Sequence, residues 1–173
     1  MNLHAVRSIP YDGLVADATG TSAEEWAVWR AFLAAHAQLS LEIDRRLRRA
    51  HGLSQGEYGT LAALLEAPER RLKVKEIADL LGWERSRVSH LVTRMENCGF
   101  VTRMDSSTDA RATDIVLTPL GAKTLLGAVR SHAADLRSTF FSQMTPEEGE
   151  VIRTVFGRIL KNLDTAHTPD GPE

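Results

Sequence analysis

Two amphipathic segments separated by a very short turn constrain this chain more than any other feature. The first ends at Leu81 and places Val74, Ile77, Ala78 and Leu81 on one face at helical spacing. The second runs from Arg85 to Cys98 and repeats the pattern with Val88, Leu91, Val92 and Met95. Gly82 supplies the turn between them, and Gly99 is placed to end the second segment in a left-handed conformation. Two runs rich in β-branched residues follow, Phe100 to Met104 and Thr113 to Leu117. They flank a polar loop that holds Asp109-Ala110-Arg111. The spacing therefore predicts helix, tight turn, helix, β-hairpin.

That order is the outline of a winged helix-turn-helix, a module that binds duplex DNA. Such a module must concentrate positive charge even when the whole chain does not, and this chain has a formal net charge of −2. From Arg85 to Arg111 there are five arginines against three acids, a surplus of only two. Placement matters more than number here. The outer face of the second helix carries Arg85, Ser86, Arg87, Ser89, His90, Thr93 and Arg94. Arginine can bridge the O6 and N7 of guanine, while serine and threonine serve phosphates. Arg103, on the first wing strand, is placed for a phosphate contact. The plainer reading of the same face is solvation, with Arg85 and Arg87 paired to Glu84 or to acids elsewhere and His90 an ordinary surface histidine.

Long amphipathic helices flank the module. Ser22 and Glu25 form a capping box, and a stripe follows at Trp26, Trp29, Leu33, His36, Ser40, Ile43 and Leu47 until Gly52 stops the helix. Four arginines, at 45, 46, 48 and 49, lie near its C-terminus. They suit the helix dipole and can pair with Glu42 or Asp44; the alternative is a second nucleic-acid patch. Ser54 and Glu57 open the next helix, which turns Tyr58, Leu61, Leu64 and Leu65 inward and ends at Pro68. After the wing, Thr118 and Pro119 start a fifth helix, and Thr145, Pro146 and Glu148 start a sixth with Val151, Ile152, Val155, Phe156, Ile159, Leu160 and Leu163 along it. A winged module does not need these helices as core, so they read as a dimerisation region that sets half-site spacing. The expected organisation is an arm (1–21), a first dimerisation helix (22–52), a DNA-binding lobe (53–118), two further dimerisation helices (119–167) and a tail (168–173). The fold class is mainly α, with a small β element.

Composition narrows the alternatives. With 43% hydrophobic and 25% charged residues the chain is globular rather than disordered. One cysteine permits no internal disulfide and fits the cytoplasm. Neither a membrane span nor a signal peptide is expected. Cys98 falls at a packing position at the end of a helix, where a buried thiol is inert; the alternative is a redox-sensing thiol. The six histidines show no metal spacing, and there is no phosphate loop and no G-x-S-x-G, so no catalytic site, metal or cofactor is expected.

The residues resemble the MarR (multiple antibiotic resistance regulator) family of transcription factors over about Ser22 to Leu163. The most specific stretch is Asp109-Ala110-Arg111 followed by a short strand and Leu117-Thr118, which matches the family's wing pattern. Leu80-Leu81-Gly82, Ser89, Leu91-Val92, Met95-Glu96 and Gly99-Phe100-Val101 match its helix-to-wing pattern. The resemblance implies a homodimer with one recognition helix per protomer in successive major grooves of a pseudo-palindromic duplex. It implies that Arg111 enters the adjacent minor groove while Asp109 holds the wing in shape, and that an effector relieves repression. The plainer account of Arg111 is a salt bridge within the wing. Where the family often caps the third and fourth helices with Ser or Thr, this chain has Lys73 and Glu84.

Two questions stay open at this level. Trp26, Trp29 and His36 either line a pocket for a small aromatic or anionic effector or belong to core or dimer interface. The whole fold, besides, can serve as a small-molecule-binding or protein-interaction scaffold without DNA binding.

Overall fold

The computed structural model describes residues 20–105 and 113–166. The chain separates into two compact units, Met1–His132 and Ala133–Glu173. The first holds α1 (Ala23–His51), α2 (Gln55–Glu66), β1 (Arg71–Lys73), α3 (Val74–Leu81), α4 (Arg85–Asn97), β2 (Val101–Asp105) and β3 (Thr113–Leu117). It also holds most of α5 (Pro119–Thr139). The second holds the end of α5, a 3-10 turn at Phe141–Gln143 and α6 (Pro146–Ala166).

Local chemistry sets most of these boundaries. Ser22 and Glu25 exchange hydrogen bonds at the start of α1, and Ser54 and Glu57 do so at the start of α2. At the start of α6 the Thr145 N–H donates to Glu148 and the Glu148 N–H to the Thr145 hydroxyl. Each pair satisfies amides that a helix leaves orphaned. Lys73 has no lone pair to offer the first turn of α3. Half of the exchange survives nonetheless, because Glu76 reaches back to accept the Lys73 N–H at 2.6 Å. No side chain caps α4 at Glu84. Gly82 (φ 63°) and Gly99 (φ 74°) end α3 and start the wing in the left-handed region, where a Cβ would be strained.

The helix-turn-helix and wing share one core. Leu53, Leu61, Leu64, Ile77, Val88, Val92, Met95, Val101, Ile115 and Leu125 are all but inaccessible to solvent. Each buried aliphatic side chain of this kind contributes about 1.5–3 kcal/mol of transfer free energy. Packing α4 on this core through Val88, Leu91, Val92 and Met95 leaves its opposite face in solvent.

The sheet is larger than a hairpin. Besides β2 paired with β3, β1 pairs antiparallel with β3 on its other side, giving the order β1-β3-β2 with Leu72 opposite Ile115. The sequence reading has no counterpart to β1, since three residues are too short to show alternation. Between α2 and β1, Glu69 and Arg70 adopt positive φ, 52° and 55°. Cys98 also departs from expectation: it is exposed. Because α4 ends at Asn97 and Gly99 redirects the chain, the apolar stripe closes at Met95 and passes Cys98 by.

Two helices keep apolar side chains in solvent. On α1 only Ile43 and Leu47 are buried, while Val28, Trp29 and Leu33 stay exposed. On α6 none of the described side chains is buried, and Val151, Ile159 and Leu160 are roughly half to two-thirds exposed (61%, 49% and 61%). Among the described residues no helix is long and apolar enough to cross a membrane.

Candidate nucleic-acid interface

The exposed face of α4 begins immediately after the α3–α4 turn. Arg85, Ser86, Arg87, Ser89, His90, Thr93 and Arg94 are all exposed residues on it. They are presented by the same helical period that buries Val88, Leu91, Val92 and Met95. The hydroxyls of Ser89 and Thr93 donate back to the carbonyls of Arg85 and Ser89, at 2.9 Å each, which leaves their oxygen lone pairs directed away from those carbonyls.

The arginines of this region do not share one environment. Arg87 lays its guanidinium over the Trp83 ring, 3.5 Å from the centroid, a cation–π arrangement that restricts its swing. Arg94 is turned toward α2: its Nε donates to Glu57 Oε1 at 2.8 Å and its Nη2 to Ser54 Oγ at 3.2 Å. Arg103 is held from α4, where Glu96 takes both its guanidinium and its backbone N–H and Thr93 Oγ1 accepts from Nη2 at 3.0 Å. Arg85, in contrast, makes no ion pair among the described residues.

Glu57 is the buried centre of this arrangement. Its side chain is 5% exposed, against 51% for Arg94. Burial alone would raise its pKa. The Ser54 N–H and hydroxyl, both 2.7 Å from Oε2, and the Arg94 guanidinium together outweigh that and hold the carboxyl below its ordinary value. Asp44 on α1 is in a similar position. Burial raises its pKa, but the Gln55 N–H at 2.9 Å, Arg48 and the nearby Arg94 bring it below the usual aspartate value. Asp44, Arg48, Ser54, Trp83, Arg87 and Arg94 help line a cleft of about 510 Å³.

The remaining sequence-predicted residues fall elsewhere. Trp29, Phe32 and His36 form a stacked series along α1, with centroids 5.6 Å and 6.1 Å apart. Trp26 is half-buried on the same helix, and its Nε1 finds no acceptor among the described residues. None of Trp26, Trp29 and His36 lines the cleft at α4. Asp109 and Arg111 lie outside the described residues. Among the described residues, no three histidine, cysteine or acidic side chains gather as a metal-binding group.

Sequence reasoning missed the partners rather than the arginines. Trp83 precedes the cap of α4, outside the helix, so no helical spacing announces its contact with Arg87. Glu57 was visible only as a cap. Nothing local announces that it also meets Arg94.

In sequence and fold the chain is similar to known transcriptional regulators. A family model described as MarR family matches residues 51–112. The HTH-type transcriptional regulator PecS of Dickeya dadantii is 30% identical over 132 residues, covering 73% of this chain and 78% of that protein. The HTH-type transcriptional regulator PrsX of Escherichia coli is 27% identical over 134 residues, covering 73% and 80%. Among solved structures, Sco3205 of Streptomyces coelicolor, a MarR family transcriptional regulator in complex with DNA, superposes with a TM-score of 0.78 at 34% identity, covering 83% of this chain and 93% of that one. AbsC of the same organism, also a MarR family regulator, gives 0.77 at 28% identity, covering 84% and 97%.

Proposed function

Since the chain belongs to the MarR family of transcriptional regulators, we propose that it binds an operator in duplex DNA as a homodimer and represses transcription there. The observation that carries this reading is α4: a polar, arginine-bearing face seated on a buried apolar stripe, beside a wing built on a three-stranded sheet. An α-helix of this kind fits the major groove, where arginine reads guanine edges and hydroxyls and cations meet phosphates. Arg85, Ser86, Arg87, Ser89, His90 and Thr93 are the side chains offered to the duplex. Arg111 enters the neighbouring minor groove, with Asp109 shaping the wing. That a relative at 34% identity was solved in complex with DNA supports DNA binding.

Dimerisation accounts for the apolar side chains that α1 and α6 leave in solvent. Val28 and Leu33 on α1, and Val151, Ile159 and Leu160 on α6, are more exposed than a lone globular chain maintains on helices of this length. A second copy of the chain covers them, and its two-fold symmetry places two α4 helices on half-sites about 10 bp apart. The regulator works in the cytoplasm. A small aromatic or anionic effector, met by Trp26, Trp29 and His36, favours a different spacing of the two recognition helices and releases DNA by population shift.

The test is selection of duplexes from a random-sequence library by the full chain, followed by binding titrations at several salt concentrations. A two-fold consensus bound in a salt-sensitive manner is expected. Failure to retain any duplex at low ionic strength overturns the proposal.

A further inference from the structure

The first turn of α2 is held from two sides. From α1, Asp44 Oδ1 accepts the Gln55 N–H at 2.9 Å. From α4, Arg94 donates to Glu57 and Ser54. We infer that Arg94 is a positioning residue rather than a DNA contact: through Glu57 and Ser54 it sets the angle at which α4 meets the duplex. The inference rests on the DNA-binding reading above and refines its list of contacts.

The chemistry of Glu57 favours it. Its side chain is 95% buried, and its two oxygens are already divided: Oε2 accepts the N–H and hydroxyl of Ser54, and Oε1 accepts Arg94 Nε. Arg94 is the cation that meets this carboxylate. Were the guanidinium drawn away to a phosphate, the buried carboxylate would keep only the neutral Ser54 donors in hydrogen-bond contact, with Arg48 the remaining nearby cation, a loss costlier than the exposed ion pair gained. Arg85 carries no such obligation, and Arg87 is held by an uncharged ring.

The same contacts explain why angle is at stake. Arg94 stands in the last turn of α4, nine residues beyond Arg85 in the sequence. Val88, Leu91, Val92 and Met95 seat α4 on the core, and the Arg94 anchor in its last turn adds a further constraint on its tilt, where a misplacement of about 1 Å at a contact is costly. Because Asp44 of α1 holds the adjacent Gln55, α1 and α4 are tied to one turn of α2.

The experiment compares wild type, Arg94→Ala, Arg94→Lys, Glu57→Gln and the double Glu57→Gln/Arg94→Ala in full-length protein. The probe is the duplex that wild type selects from a random library, read by fluorescence anisotropy over a series of KCl concentrations, with circular dichroism to establish folding. A positioning role predicts losses on the order of tenfold for Arg94→Ala and for Glu57→Gln, and a double variant no weaker than the worse single one. The slope of log affinity against log salt stays at the wild-type value, because no phosphate contact is lost. Arg94→Lys, which keeps charge but not the guanidinium fork, loses affinity as well. Should Arg94→Ala fail to fold, the Lys variant carries the comparison.

A phosphate contact predicts the reverse on each count. Arg94→Lys would retain affinity, Arg94→Ala would flatten the salt slope by about one, and Glu57→Gln would bind as tightly as wild type or more so. Any of these overturns the inference alone. A wild-type protein that bound no duplex would overturn it together with the regulator reading.

Discussion

Gly121, in the first turn of α5, lies so close to Phe100 that a Cβ on it would stand 2.1 Å from the Phe100 carbonyl oxygen. The approach is fixed by Thr118, whose hydroxyl donates toward the carbonyls of Gly99 and Phe100 and accepts the Gly121 N–H at 3.0 Å. One residue thus joins the end of α4, the start of β2 and the start of α5. Substituting Gly121→Ala cannot be absorbed by a side-chain rotation, because the obstacle is backbone. A loss of about 3 kcal/mol is expected, at the upper end for overpacking, read from urea denaturation. Wild-type stability in this variant would show that the approach is looser than described.

Acid should weaken the α2–α4 attachment in a way that depends on Glu57. Its folded-state pKa lies below the ordinary 4.5, so its contribution is present above that pH and is lost as pH falls toward the lower folded value. Glu57→Gln should cost about 1–3 kcal/mol at pH 7, discounted because Arg94 is half exposed. The gap between the two proteins should then close as pH drops through the region below 4.5. Denaturation midpoints across a pH series give the comparison, and a gap that stayed constant would count against the assignment.

Arg111→Ala should weaken operator binding on the order of tenfold to a hundredfold, most at A·T-rich flanks where a narrow minor groove attracts a guanidinium. Its thermal midpoint should match wild type. Unchanged affinity would show that the wing arginine stays outside the groove.

Leu160→Glu tests the dimer. Leu160 is 61% exposed on α6, so a charge there costs the single chain little. If a second copy covers it, the dimer dissociation constant rises by on the order of a hundredfold or more in sedimentation, since a buried unpaired carboxylate is opposed by desolvation. An undisturbed dimer would place the interface elsewhere.

Arg103→Ala should loosen β2 against α4, since only the backbone N–H at 103 would still reach Glu96. With the guanidinium contacts to Glu96 and Thr93 gone, operator binding should fall about tenfold while unfolding free energy changes by about 1 kcal/mol or less, since both partners are partly exposed (34% each). Anisotropy and urea titrations on the same samples separate the two effects. A stability loss that matched the affinity loss would instead make Arg103 a plain structural element.

Much of this molecule was readable because its signals are local. Caps act over three residues, so Ser22–Glu25, Ser54–Glu57 and Thr145–Glu148 were visible in the order of residues alone. The stripe of Val88, Leu91, Val92 and Met95 has a period that only one backbone conformation can bury. Gly82 and Gly99 mark left-handed positions that other residues avoid. From such features the sequence by itself determined the succession of helices, the turn and the wing, and hence the family. Tertiary structure alone decided what the side chains on those elements are for. The pairing of Arg94 with Glu57 spans 37 positions, and β1 becomes a strand only because β3 lies alongside it. An arginine's partner depends on which carboxylate the fold brings near and buries, a long-range outcome that no local period encodes. Arg85 and Arg94 therefore look alike along the chain, and only packing tells the side chain offered outward from the one that holds its helix in place.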